Sequence, residues 1–361
     1  MLPPYGGSLY YAGLDLHQRY LTWCVLDRAG RVGRDQRKLA PTLEAVTAAL
    51  AGLEGGVTLP LEATRQWAWF PDRLTALGDR VLVAHPPQLK RIRPARCQTD
   101  PIDARKRAEL ARVNLVPAIG VPDPLTRERR LRLRGRARLV RRRTRLKHRI
   151  PAWWAGEHLR APGTDRVGAG GRVWLAAVPL PQPIRAEVEL PLELRAALEV
   201  PIAGDDPLVR RWARALPEAP VLQTVPGIGP FGARLVLAAI GTITRFRRSR
   251  ERAADAGLVP SPRRSGGKTA HGGVGPAGSG GLKWLLIEIV QTLKQRPGPV
   301  QAHSERLLRT KGKPKATVAA ARKLCPYRYG MVRDGRSSAA WLQLERARAG
   351  CPVQALASAA G

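Results

Sequence analysis

The order in which short apolar runs and longer helical ones alternate before Arg112 limits the fold more than any other feature of the chain. Leu9–His17 (LYYAGLDLH), Thr22–Asp27 (TWCVLD) and Arg31–Leu39 read as three strands, and the short turn between the first two makes them an antiparallel meander. A helix over Pro41–Leu53 follows. Then come a strand at Val57–Ala63 (VTLPLEA), a helix at Trp67–Leu77 and a strand at Val81–His85, closed by Pro86–Pro87. Thr99–Arg112, TDPIDARKRAELAR, completes the series as a helix, because Pro101 suits a first turn where its missing N–H would have had no partner. Three strands, helix, strand, helix, strand, helix is an α/β domain.

Acids sit at telling places in that order. Asp100 and Asp103 lie three residues apart and project from one helix face. A local account makes Asp100 an N-cap and Asp103 an N3 residue favoured by the helix dipole. A chemical account gives both to a hard divalent cation, since phosphoryl-transfer sites gather carboxylates from several elements. Asp15, near the end of the first strand among apolar neighbours, must face an edge, a partner or a cation, because an unpaired buried acid is costly. Glu62 ends the fourth strand. His17 reads as a strand-end surface residue rather than a ligand. The element order resembles the ribonuclease-H-like fold in its Holliday-junction-resolvase (RuvC-like) form. There, acids from the first strand, a later strand and a following helix meet around Mg²⁺. Asp15, Glu62, Asp100 and Asp103 fall on those elements in that order.

Lys and Arg number 62 against 28 Asp and Glu, a net charge of 62 − 28 = +34. Such an excess suits a polyanionic partner held with steep salt dependence. Coding bias could inflate Arg but does not explain the scarcity of acids, so nucleic acid is the expected partner. Cys24, Cys97, Cys325 and Cys351 form no CxxC pair, which argues against a zinc or disulfide framework and for a reducing cytoplasm. MLPPYGGSLYYAG is no signal peptide, and Leu282–Leu293 is interrupted by Lys283 and Glu288, so no membrane association is expected. The expected setting is the cytoplasm.

The remainder divides by composition. Arg127–Arg149, RERRLRLRGRARLVRRRTRLKHR, reads as one long helix or a helix pair, pairing with another subunit, with Arg141, Arg142 and Arg143 directed at phosphate backbone. Pro151–Pro220 reads as linker with short helices at Leu192–Val200 and Leu208–Ala215. In Leu222–Ile240, two apolar helices flank Pro226-Gly227-Ile228-Gly229, the pattern of a helix-hairpin-helix whose Gly227 and Gly229 free backbone N–H groups for a phosphate. The alternative there is a plain packed helical hairpin. Ser265, between Arg263-Arg264 and Gly266-Gly267-Lys268, reads on local grounds as a loop serine. The expected domains are 1–122 (metal-binding), 123–215 (basic helical linker), 216–335 (mostly helical, with the serine) and a tail at 336–361.

GLDLH, LEATRQW, QTDPIDA, TVPGIGPFGARLVLAAIGTITRF and AGLVPSPRRSGGK, in this order, resemble the DEDD-type insertion-sequence transposases, relatives of the pilin-gene invertase. These are serine recombinases with a RuvC-like domain, and the resemblance runs from about Tyr11 to Tyr329. It implies that Asp15, Glu62, Asp100 and Asp103 bind Mg²⁺ (or Mn²⁺). It implies that Ser265 is the nucleophile forming a phosphoserine bond to DNA, with Arg263, Arg264 and Lys268 beside it on the phosphate. It further implies dimers or tetramers acting on donor and target DNA, guided by a structured RNA. The sequence departs from the pattern at Arg65, at Gln98 and in the run GPAGSGGLK, where Lys283 stands in place of Arg, which implies weakened phosphate contacts beside Ser265. The function expected is therefore a transposase or site-specific recombinase. The alternatives are a metal-dependent junction nuclease using water and an inactive nucleic-acid-binding remnant.

Overall fold

The computed structural model describes residues 8–63, 67–92, 99–156, 159–161, 167–246, 249–265, 268–275 and 278–348. Two compact units result, Met1–Pro124 and Leu125–Gly361.

The first unit runs β1 (Tyr10–Leu16), β2 (Leu21–Asp27), β3 (Val32–Leu39), α1 (Leu43–Leu50), β4 (Val57–Glu62), a 3-10 turn at Trp67–Trp69, α2 (Phe70–Ala76), β5 (Arg80–Ala84), α3 (Pro86–Ile92) and α4 (Asp100–Arg112). The strands form one sheet in the order β3-β2-β1-β4-β5; β1, β2 and β3 are antiparallel, while β4 runs parallel to β1 and β5 to β4. The expected series is present with two corrections. Pro86 and Pro87 open a helix rather than close a strand, as prolines can in a first turn. Thr99, not Asp100, is the N-cap of α4, so Asp100 is its first helical residue.

Strand periodicity sorts the side chains into two layers. Ala12, Leu14, Leu21, Trp23, Val25, Leu59 and Leu61 pack with Val46 and Leu50 of α1 and Phe70 and Leu74 of α2. On the other face Tyr11, Cys24, Leu26, Leu82 and Ala84 meet Ala104, Ala108 and Ala111 of α4. With both faces covered, six of the seven residues of β2 are buried. α4 lies very close to β1. A Cβ at Gly13 would stand 1.9 Å from the carbonyl oxygen of Ala104 and 2.5 Å from the amide nitrogen of Ala108. Only glycine, opposite a stripe of alanines, permits that approach.

The second unit comprises α5 (Pro124–Gly156), α6 (Ala169–Ala177), α7 (Gln182–Arg214), α8 (Glu218–Gln223), α9 (Pro230–Ile240), α10 (Ser249–Asp255), a hairpin of β6 (Pro260–Ser265) and β7 (Lys268–Val274), α11 (Gly280–Leu293), α12 (Pro299–Asp334) and α13 (Ser338–Arg348). Its main core gathers Leu133, Val209, Leu222, Val236, Leu286, Val290 and Tyr329 from six of the helices. Several expectations change here. The short helices at Leu192–Val200 and Leu208–Ala215 are parts of α7, which continues through Pro191, Pro201 and Pro207. Each proline removes one backbone hydrogen bond, but Val188, Ile202, Val209 and Ala213 are buried on either side and hold the helix on its neighbours. The acids that α5 lacks come from α7. Arg132 meets Asp205 at 3.3 Å, Arg136 meets Asp206 at 2.5 Å and Arg143 meets Glu199 at 2.9 Å, so part of the basic arm is paired within the chain. Ser265 ends a strand rather than lying in a loop, paired with Lys268. Residues expected as tail form α13, whose Trp341 packs edge-on against Tyr327 at 4.5 Å. Among the described residues, no helix is long and apolar enough to cross a membrane.

Candidate metal centre

Strand alternation puts Tyr11, Gly13 and Asp15 on the α4 face of β1, so the residue that lets α4 approach lies two positions from the acid. β1 pairs with β4 through Tyr11↔Thr58, and the same offset brings Asp15 level with Glu62 at the ends of both strands. α4 then lays its first turn against this edge. Sheet register and helix seat together gather acids that are far apart in sequence.

Among the described residues, Asp15, His17 and Asp100 form a tight group: one ligand atom from each lies within 4.8 Å of the others. His17 Nε2 is 3.5 Å from Asp15 Oδ2 and 3.4 Å from Asp100 Oδ1. The β1–β2 turn places the imidazole, closed by the His17 amide donating to the Tyr20 carbonyl at 2.9 Å. The Tyr20 ring packs on His17 at 4.9 Å, and its hydroxyl donates to Asp100 Oδ2 at 2.9 Å. That hydrogen bond, with burial and the charges of Asp100 and Asp15, raises the Tyr20 phenol above its ordinary 10.0.

Asp15 and Glu62 share a second partner. Arg107 of α4, 6 % exposed, reaches Asp15 Oδ1 through Nη1 at 3.0 Å and Glu62 Oε2 through Nη2 at 3.1 Å. Its Nη1 also donates to the Leu14 carbonyl at 3.2 Å. Asp103, one turn before Arg107, shares its helix face.

The donor set fits a divalent cation. Two carboxylates and an imidazole converge, and the His17 Nε2 atom is buried yet makes no hydrogen bond. The separations of His17 Nε2 from the two carboxylates, 3.5 and 3.4 Å, lie within the roughly 4 Å that two ligands on one ion with bonds of about 2.0–2.1 Å can span. Of the four acids expected at a metal, Asp15 and Asp100 are in this group, while Glu62 adjoins it through Arg107. His17, read from sequence as a surface residue, belongs to it. The signal available was its two-residue spacing from Asp15, which becomes meaningful only once the turn folds back.

In the second unit, Gly227 has φ 92°, a conformation that favours glycine, and a Cβ there would lie 3.1 Å from Thr292 Oγ1. Gly229 is the N-cap of α9. Arg141 and Arg142 are exposed on α5, whereas Arg143 is engaged by Glu199. Lys283 donates to the Gly275 carbonyl at 2.9 Å. The side chains of Ser265, Arg263, Arg264 and Lys268, and the departures at Arg65 and Gln98, lie outside the described residues.

Residues 12–153 match the family model DEDD_Tnp_IS110, described as "Transposase", and residues 219–305 match the model described as "Transposase IS116/IS110/IS902 family". The chain is 29% identical over 140 residues to the insertion element IS116 uncharacterized 44.8 kDa protein of Streptomyces clavuligerus, covering 37% of this chain and 34% of that protein. It is 31% identical over 124 residues to the transposase for insertion sequence element IS1111A of Coxiella burnetii, covering 33% of this chain and 34% of that one. The chain therefore spans about a third of the length of these curated relatives.

Proposed function

The chain belongs to the DEDD family of insertion-sequence transposases, and from that premise we propose that it is a mobile-element DNA recombinase cutting and rejoining strands through a phosphoserine intermediate. The convergence of Asp15, His17 and Asp100 is the observation that carries the metal-dependent part of the reading, while the phosphoserine step rests on the family resemblance around Ser265. The sheet order with its acidic edge supports a RuvC-like assignment for the first unit.

In this reading Asp15, His17 and Asp100 hold Mg²⁺ or Mn²⁺, with Glu62 and Asp103 as neighbouring acids. The bound ion supplies Lewis-acid polarisation of a phosphoryl oxygen. Ser265 forms an Oγ–P bond as the P–O3′ bond breaks; its hydroxyl proton passes to solvent, and the departing oxygen is protonated to a 3′-hydroxyl. Arg263, Arg264 and Lys268 offset charge developing on the phosphoryl oxygens. Residues 216–335 act as the serine domain. Within it, Leu222–Ile240 acts as a helix-hairpin-helix, offering the Gly227 and Gly229 segment and the start of α9 to a phosphate. Residues 123–215, with Arg141 and Arg142 foremost, track nucleic-acid backbone. Donor and target DNA, a structured guide RNA that sets sequence choice and a self-assembled dimer or tetramer complete the reading.

An excision assay with denaturing-gel detection of protein–DNA adducts tests it. Ser265→Ala should abolish both adduct and excision, and Asp15→Ala should abolish excision. Undiminished excision in either variant rejects that residue's role, and excision without an adduct favours attack by water.

A further inference from the structure

We propose that Arg107 is an internal cation that takes the place of a second metal ion, so that the centre in this chain holds a single divalent cation. The inference rests on the reading of Asp15, His17 and Asp100 as a cation site, and goes beyond it by fixing what the rest of the acid cluster does.

The geometry divides the Asp15 carboxylate between two tasks. Oδ1 accepts from Arg107 at 3.0 Å, whereas Oδ2 faces His17 Nε2 at 3.5 Å. Glu62 gives Oε2 to the same guanidinium at 3.1 Å. Two-metal phosphoryl-transfer centres use carboxylates shared between ions roughly 3.5–4 Å apart. A second ion bridging Asp15 and Glu62 would sit beside the oxygens that the guanidinium holds, Asp15 Oδ1 and Glu62 Oε2, and would meet its positive charge there. Arg107 is not a mobile surface side chain: it is 6 % exposed, and Nη1 is further tied to the Leu14 carbonyl at 3.2 Å. Its helix is seated by the close Gly13–Ala104 approach, so the guanidinium is fixed relative to β1. Arg is suited to the task, because its planar fork meets two carboxylates at once where an ammonium is a single point of charge. Arg107 is thus a positioning residue. It holds Asp15 with Oδ2 toward His17 and withdraws Glu62 from direct ligation.

The test is metal stoichiometry on the full chain, without DNA, by Mn²⁺ titration followed by electron paramagnetic resonance and calorimetry. The wild type should take up one Mn²⁺ in a site that Asp15→Asn abolishes. Arg107→Met, of comparable length and uncharged, should take up two. Arg107→Lys should still take up one, about 10–100-fold more weakly, as expected on loss of a group that orients a ligand; it keeps the proposal testable if Arg107→Met fails to fold. Two ions of similar affinity in the wild type, one ion in a folded Arg107→Met, or unweakened binding in Arg107→Lys would overturn the role of Arg107 while leaving the cation centre standing. No Mn²⁺ binding by the wild type would instead remove the cation centre, and this inference with it.

Discussion

Adding one methyl group at Gly13 tests how the fold builds the centre. A Cβ there would lie 1.9 Å from the Ala104 oxygen, and real Cβ atoms essentially never come within 3.0 Å, so α4 must retreat by at least 3.0 − 1.9 = 1.1 Å. The obstacle is backbone, which cannot rotate away as a side-chain tip can. Overpacking of this kind costs about 1–3 kcal/mol. The same retreat carries Asp100 and Arg107 away from Asp15, and a misplacement of about 1 Å near reacting groups can lower a rate about 10²-fold. Gly33→Ala is the control, because its Cβ would find its nearest neighbour at an ordinary 3.9 Å. Hydrogen exchange in peptides from β1 and α4 should quicken by about 5–150-fold in Gly13→Ala, the equivalent of that free-energy range, with little change in Gly33→Ala. Mn²⁺ affinity should fall in Gly13→Ala alone. Matching exchange and affinity in the two variants would refute the claim that this contact sets the site.

Two further predictions concern charge. The Tyr20 phenol should titrate above its ordinary 10.0, because its hydroxyl donates a hydrogen bond to Asp100 and charge on both groups is unfavourable. The stabilisation is fully present below pH 10.0 and lost as pH rises through the folded-state value; ultraviolet titration should place the phenol nearer its ordinary range in Asp100→Asn, and an unchanged titration would deny the contact. On α5, Arg142→Ala should lower the salt slope of DNA binding by about 0.9, as for one lost phosphate contact on a duplex, whereas Arg143→Ala should change it less, because Arg143 is already paired with Glu199. Equal effects in filter binding across a salt series would contradict that distinction.

What could be read from the sequence was what local periodicity encodes. The alternation in LYYAGLDLH and TWCVLD carried the strands, and the TDPIDA run announced both the helix and its acids, because these depend on neighbouring residues. What stayed hidden depends on distant partners. Arg107 is 45 residues from Glu62 in sequence and 93 from Leu14, and nothing local marks it among so many basic residues. His17 gains its meaning from Asp100, on another element. α7 was obscured because Pro191, Pro201 and Pro207 read as breakers, while the buried contacts that outweigh them come from elsewhere in the unit. The Gly-rich run after Ser265 likewise hid a two-stranded hairpin, since glycine in sequence reads as loop until a partner strand is known.

The centre itself can be located without DNA, by loading the chain with Fe²⁺ in place of Mg²⁺ and adding ascorbate and peroxide, so that radicals cut the backbone beside the bound ion. Cuts confined to the neighbourhoods of Asp15–His17 and Asp100, suppressed by excess Mg²⁺ and lost in Asp15→Asn, are the predicted result. Cuts elsewhere, or an unaltered pattern in Asp15→Asn, would contradict the account.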